Sequence, residues 1–240
     1  MPFAQVIVGP PGSGKSTYCS GMQQFLQAIG RKVRIVNLDA ANENLSYSDP
    51  FFNICNEINF MKCMQENSLG PNGTMVKCME MIYQQRHQIL KQLLTEDCND
   101  YYYLFDIPGQ IELITNYKYL KEILNSFERE GSFRFCIVNL IDSLFCCETV
   151  KYIFGLITSL KTMLNFEFPF VNVMTKIDLL DWKELKFSLE FYSELQDPLR
   201  LLQEDGFTSK FSKLNEALCE LISDFGLIKF IPLAIEDKEL

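Results

Sequence analysis

The chain carries a single histidine, His87, and nine cysteines of which no two are spaced C-x-x-C. A zinc site built from Cys and His, or a disulfide framework, is therefore not expected. The cysteine count is odd, and the adjacent Cys146 and Cys147 cannot bridge without strain. The thiols read instead as small buried hydrophobes in a reducing compartment, and His87, a lone imidazole in a helix-like stretch, as a surface or packing group. Basic residues are also scarce: 22 against 31 acidic ones, a net charge of −9. Such a surface repels polynucleotides and anionic membrane, so direct binding to either is not expected. Apolar runs such as 135–147 are broken by Asn139 and Asp142, well short of the roughly 20 residues that span a bilayer. No basic region followed by an apolar core opens the sequence, so no secretory signal is expected and a cytosolic location is. No repeat, low-complexity tract or obvious linker is visible.

What is present is a globular balance, 48% hydrophobic and 22% charged over 240 residues, which suits one large α/β domain, 1–240, better than two. Phe3 to Val8 is an aliphatic, β-branched run of the kind buried on both faces of a sheet. Tyr18, Met22, Phe25, Leu26 and Ile29 then recur at helical spacing before Gly30, a plausible stop. A second strand is expected at Val33 to Leu38, a polar and loop-like segment at Ala40 to Pro50, and helical spacing over 51–68. A turn at Gly70-Pro71-Asn72-Gly73 precedes a long helix from Thr74 to Leu94, and Tyr101 to Phe105 is a third strand. Further helices are expected near 115–130 and 148–165, and further strands at Phe133 to Ile141 and Phe168 to Met174. Helical patterns follow from Asp178 to Phe225, and a last strand at Leu227 to Leu233. This alternation predicts a mainly parallel sheet with helices on both faces, with residues 40–100 as a helical insertion.

Three strand ends carry chemistry. Gly9-Pro10-Pro11-Gly12-Ser13-Gly14-Lys15-Ser16 fits G-x-x-x-x-G-K-[ST] between a strand and a helix. There, backbone N–H groups and the positive helix end face a polyphosphate, Lys15 reaches the β/γ oxygens, and the Ser16 hydroxyl can ligate Mg²⁺. A Gly/Pro-rich surface turn is the bland alternative. Asp106-Ile107-Pro108-Gly109-Gln110 ends an apolar strand. Asp106 can hold the metal's hydration shell, the Gly109 N–H can sense a γ-phosphate and Gln110 can orient a water; otherwise Asp106 is a helix cap and Pro108-Gly109 a turn. Thr175-Lys176-Ile177-Asp178 fits [N/T]-K-x-D, in which Asp178 accepts from guanine N1–H and the 2-amino group while the Lys176 stem lies along the base. Adenine would leave Asp178 unpaired, at a cost of about 1–3 kcal/mol. A solvated helix start explains the same four residues. Gly70-Pro71-Asn72 reads from its residues only as a turn.

Taken together, these strings resemble the GPN-loop GTPases, a family of dimeric P-loop GTPases. The match runs through Gly9 to Thr17, Val36-Asn37-Leu38-Asp39, Leu69-Gly70-Pro71-Asn72-Gly73, Phe105 to Leu113 and Met174 to Leu179, in order and at matching separations over nearly the whole chain. Phe230-Ile231-Pro232-Leu233 and the double proline of the phosphate loop look most like the second of three eukaryotic paralogues. The resemblance implies that Gly12, Ser13, Gly14, Lys15, Ser16 and Thr17 hold the phosphates of GTP or GDP, with Ser16 on Mg²⁺. It implies that Asp39 and Asp106 position the metal's waters or the nucleophile, that Gln110 orients that water, and that Gly109, Thr175, Lys176 and Asp178 complete the nucleotide site. Asn72 would act in trans, near the phosphates of a second subunit, in a homodimer or a heterodimer with a paralogue. Pro232-Leu233-Ala234 falls where a base-contacting loop belongs. Ala40 stands where the family usually has proline, which implies a looser first switch. The chain stops at Leu240, where the resemblance implies another helix.

By the same resemblance, the protein assists assembly and nuclear import of RNA polymerase complexes, meeting polymerase subunits or assembly factors in the cytoplasm and shuttling to the nucleus. The alternatives are an assembly chaperone with incidental hydrolysis and a P-loop small-molecule kinase. The kinase would need an arginine-bearing lid, and the six arginines do not cluster.

Overall fold

The computed structural model describes residues 1–42, 45–110, 112–113, 117–204, 212–226 and 228–236. Its strands are β1 (Phe3–Val8), β2 (Val33–Asn37), β3 (Phe52–Asn53), β4 (Tyr102–Asp106), β5 (Arg134–Asp142), β6 (Phe170–Thr175) and β7 (Phe230–Leu233). They form one sheet in the order β3-β2-β4-β1-β5-β6-β7. The registered pairings β1 with β4, β2 with β3 and β4, and β6 with β7 are all parallel. Among the described residues there are eight α-helices: α1 (Lys15–Ala28), α2 (Phe60–Asn67), α3 (Pro71–Leu93), α4 (Tyr119–Gly131), α5 (Thr149–Phe166), α6 (Leu189–Ser193), α7 (Pro198–Glu204) and α8 (Ser212–Phe225). The chain divides within β5 into two compact units, 1–138 and 139–240.

In the first unit the central strands are mostly apolar, as burial on both faces requires. Val6, Ile7 and Val8 of β1 and Tyr103, Leu104 and Phe105 of β4 have no exposed surface. An aromatic cluster packs beside them, with Phe105 edge-on to Phe133 and Phe135. Leu120, Ile123, Leu124 and Phe127 mark the buried face of α4 at i, i+3, i+4 and i+7, and α4 packs on α3. The approach is close at Gly131, where a Cβ would come within 2.7 Å of Leu90 Cδ1. The second unit has its own core, in which Tyr152 and Leu156 of α5 meet Met174 of β6 and Tyr192 of α6. The Tyr152 hydroxyl donates to the Tyr192 carbonyl at 2.7 Å.

Three local expectations change. The helical spacing read over 51–68 begins instead with β3, which pairs with β2 through Val36 and Asn37, and α2 starts only at Phe60, capped by the Asn59 side chain. Apolar residues in a short run suit either period, and the free edge of β2 decides. The turn at Gly70-Pro71-Asn72 is the start of α3: Gly70 is its N-cap and Pro71 its first residue, where proline's missing N–H has no partner to lose. The last strand is shorter than expected, beginning at Phe230; position 227 lies outside the described residues.

Candidate functional site

The phosphate loop leaves β1 at Val8 and enters α1 at Lys15. Gly12 and Gly14 take φ of 80° and 85°, left-handed values that glycine adopts without steric cost, so the loop can turn its N–H groups inward. Ser13 N–H donates to Pro10 O at 3.2 Å and Tyr18 N–H to Gly14 O at 2.7 Å. The first turn of α1 has no acidic residue and no side-chain cap, which leaves its positive end free for an anion. Lys15 is 9% exposed, and its ammonium donates to Pro10 O at 3.2 Å. Ser16 Oγ donates to Asp106 Oδ2 at 2.7 Å, joining positions ninety residues apart. At Gly109 a Cβ would displace the end of the Lys15 side chain and stand 3.2 Å from Pro11 N, so the loop after β4 lies close against the phosphate loop there. In the first unit the structure thus brings together Gly12, Ser13, Gly14, Lys15, Ser16, Asp106 and Gly109. Thr17 is half-buried in the first turn of α1.

Burial is the dominant electrostatic fact here. It lowers the Lys15 pKa, against the opposing pull of Asp106 and Asp39. It holds the Asp106 carboxyl above its ordinary range, although hydrogen bonds from Ser16 and Tyr47 and the Lys15 charge act the other way. Asp39 is raised by the same cause, opposed by the Ala41 N–H and by Lys15. The oxygen donors Ser16 Oγ and the Asp106 carboxylate match Mg²⁺, which takes few protein ligands and completes its octahedron with water and phosphate. No group of three or more His, Cys, Asp or Glu that could hold a metal occurs among the described residues.

The raised carboxyls give a signed pH dependence. A group whose folded pKa is raised adds stability below its unfolded pKa and loses it as pH rises through the folded value. In the absence of nucleotide and Mg²⁺, Asp106→Asn should therefore gain stability relative to wild type as pH climbs from about 4 towards neutrality. Urea unfolding across that range reads the difference; a gap that stays constant with pH removes the assignment of burial as the cause.

Three residues not singled out from sequence support these groups. Tyr47 was expected in a loose polar loop, yet it is 5% exposed and its hydroxyl donates to Asp106 Oδ2 at 3.0 Å. Asn42 Nδ2 donates to Ser16 Oγ at 3.1 Å. Asn37, fully buried, brackets Asp39: its Oδ1 accepts from Asp39 N–H at 3.0 Å and its Nδ2 donates to Asp39 O at 3.3 Å. Ala40 is buried, and Asp39 Oδ1 accepts from Ala41 N–H at 3.0 Å. The Val-Asn-Leu-Asp string contained the Asn37 signal; nothing local marked Tyr47. Gln110 Nε2 donates to Asn72 Oδ1 of the same chain at 3.3 Å, so the first residues of α3 stand over the loop after β4. His87 is a surface group whose Nδ1 lies 2.8 Å from Glu130 Oε2.

In the second unit β6 ends at Thr175, whose buried hydroxyl donates to Ile141 O at 3.0 Å. Lys176 is left-handed, with φ of 61° and ψ of 34°, and caps a short 3-10 turn, Ile177–Leu179, that presents Asp178 to solvent. Ile231 in β7 is 57% exposed, and Ala234, just past the strand, is buried.

A parallel sheet whose first strand runs through a glycine loop into a helix, with a lysine and a hydroxyl facing a strand-end aspartate, defines a P-loop NTPase. A family model described as "Conserved hypothetical ATP binding protein" matches residues 7–240. The chain is 44% identical to GPN-loop GTPase 2 homolog of Dictyostelium discoideum, covering 100% of this chain and 76% of that one. It is 45% identical to GPN-loop GTPase QQT1 of Arabidopsis thaliana (100% and 81%), and 42% identical to GPN-loop GTPase 2 of Saccharomyces cerevisiae (100% and 71%). The fold is also that of the apo form of a GTPase from Pyrococcus abyssi, with a TM-score of 0.77 at 21% identity over 98% of this chain and 91% of that one. The chain belongs to the GPN-loop GTPase family.

Proposed function

We propose that the chain is a Mg²⁺-dependent GTPase that works as a switch, with in-line attack of water on the γ-phosphate. The observation that carries this reading is the meeting of Lys15, Ser16, Asp106 and Gly109 at the mouth of the glycine loop. Lys15 and the α1 N-terminus bind the phosphates, and the Gly109 N–H reports the presence of the γ-phosphate. Gln110, within reach of Asn72, orients the attacking water. Bound Mg²⁺ would supply charge neutralisation at the β/γ oxygens, held through Ser16 with Asp106 ordering its waters. Lys176 and Asp178 read the base, which makes guanine the nucleobase even though the matching family model is described by ATP.

Five of the six arginines are engaged elsewhere. Arg34 stacks on Tyr101 and pairs with Asp97, Arg31 and Arg86 lie over Tyr102 and Tyr83, Arg134 pairs with Glu128, and Arg200 lies over Phe187. An arginine-bearing kinase lid has no support in that distribution, and unaided turnover is expected to be slow. The missing stabilisation then comes from a second subunit, whose Asn72 would act in trans, or from another partner. In line with the family resemblance, the biological role is assembly and nuclear import of RNA polymerase complexes, in the cytoplasm with shuttling to the nucleus.

The test is binding of GTP and ATP side by side with Mg²⁺, followed by phosphate release with and without acceptor molecules. Asp178→Ala should lower the preference for GTP over ATP by roughly 10- to 100-fold, the worth of a desolvated, unpaired acceptor. An unchanged preference overturns the guanine reading, and phosphate that appears only when an acceptor is present overturns hydrolysis.

A further inference from the structure

β5 ends beside β6, and its last residue, Asp142, divides its carboxylate between two partners. Oδ1 accepts from Leu144 N–H at 3.0 Å, capping the 3-10 turn Ser143–Cys147. Oδ2 accepts from Lys176 Nζ at 2.7 Å, with the two side chains 15% and 33% exposed, so this pair is more sheltered from salt and water than an ordinary surface ion pair. The next residue reaches the same lysine from below: Ser143 Oγ donates to Lys176 O at 2.9 Å. With Thr175 Oγ1 on Ile141 O, three successive residues of the β5 end are stitched to Thr175-Lys176.

Lys176 needs that support. It is one of few non-glycine residues with positive φ, a conformation that L side chains resist and that persists where surroundings impose it. A cap alone would use only Oδ1 of Asp142; the second oxygen and the Ser143 hydroxyl both address Lys176. We infer that Asp142 and Ser143 are positioning residues for purine recognition, the serine holding the Lys176 backbone in its left-handed turn and the aspartate tethering the ammonium so that the four-carbon stem lies fixed. A tethered stem surrenders its rotamer freedom before a base arrives, and that entropy is not lost again on binding. The inference rests on the reading of Lys176 and Asp178 as the base-recognising pair.

The test compares wild type with Asp142→Asn, Ser143→Ala and Asp142→Glu. A fluorescent guanine nucleotide is competed with GDP, ADP and inorganic tripolyphosphate in the presence of Mg²⁺. Asn keeps the acceptor for Leu144 N–H and loses the charge. Asp142→Asn should bind GDP about tenfold more weakly, the net worth of one charge-assisted hydrogen bond. Tripolyphosphate affinity should be unchanged, Ser143→Ala should show the same pattern, and Asp142→Glu should restore part of the loss. GDP affinity unchanged in Asp142→Asn overturns the inference, and so does a parallel loss of GDP and tripolyphosphate, which marks general damage to the fold. Asp178→Ala in the same assay separates the two levels. If it abolishes the preference for GDP over ADP while Asp142→Asn binds GDP normally, the positioning role alone fails; if it leaves the preference intact, the base reading itself fails.

Discussion

Lys15→Ala should lose about two to three orders of magnitude in GTP affinity. Truncating one member of a buried, hydrogen-bonded charge pair costs about 2–5 kcal/mol, and here the lost cation would meet the phosphates of a triphosphate rather than a single carboxylate. The side chain is buried and held on Pro10 O, and a placed side chain needs little further ordering on binding. The effect should extend to the loop after β4, because Lys15 is the group packed against Gly109 and its charge opposes the upward shift of the Asp106 carboxyl. Equilibrium titration with a slowly hydrolysed GTP analogue reads the loss. An affinity within about threefold of wild type, a gap below 1 kcal/mol, would remove Lys15 from the phosphate site.

Gln110→Leu should separate binding from chemistry. Gln110 is half-exposed beyond the buried strand end, its amide hydrogen-bonded to Asn72. Leucine keeps the bulk and removes the hydrogen-bonding amide. Single-turnover phosphate release should fall by about 10²-fold or more, the usual consequence of removing one polar group that acts in the transition state, while GTP affinity stays within about twofold. The combination is diagnostic: a loss of affinity in step with the loss of rate would mean uniform binding instead of orientation of water. Normal turnover would take Gln110 out of the mechanism.

The site was legible in outline because its motifs are local strings. Gly12, Gly14 and Lys15 announce a phosphate loop from spacing alone, and each motif ends a run apolar enough to be a buried strand. In a parallel sheet the loops that follow the C-terminal strand ends are where ligands bind, so finding the strings at strand ends already implied function. The expectations that shifted were those in which one run of residues suits two conformations. Phe51 to Ile58 satisfies a helical count, yet Phe52 and Asn53 extend the sheet because β2 had an edge to offer. Pro71, read as a turn former, is equally suited to the first residue of a helix, and nothing within the tripeptide distinguishes the two.

By itself the sequence determined the alternation of the main strands and helices and the placing of the phosphate-loop string between a strand and a helix, because each depends on residue type and short-range spacing. Only the tertiary structure decided which side chains serve those motifs. Tyr47 reaches Asp106 across 59 residues, Gln110 meets Asn72 across 38, and Asp142 holds Lys176 across 34. Such contacts are set by which strands lie side by side and how far each loop projects, and a parallel sheet joins its strands through long crossovers, so the residues it brings together lie far apart along the chain. No local period records that geometry.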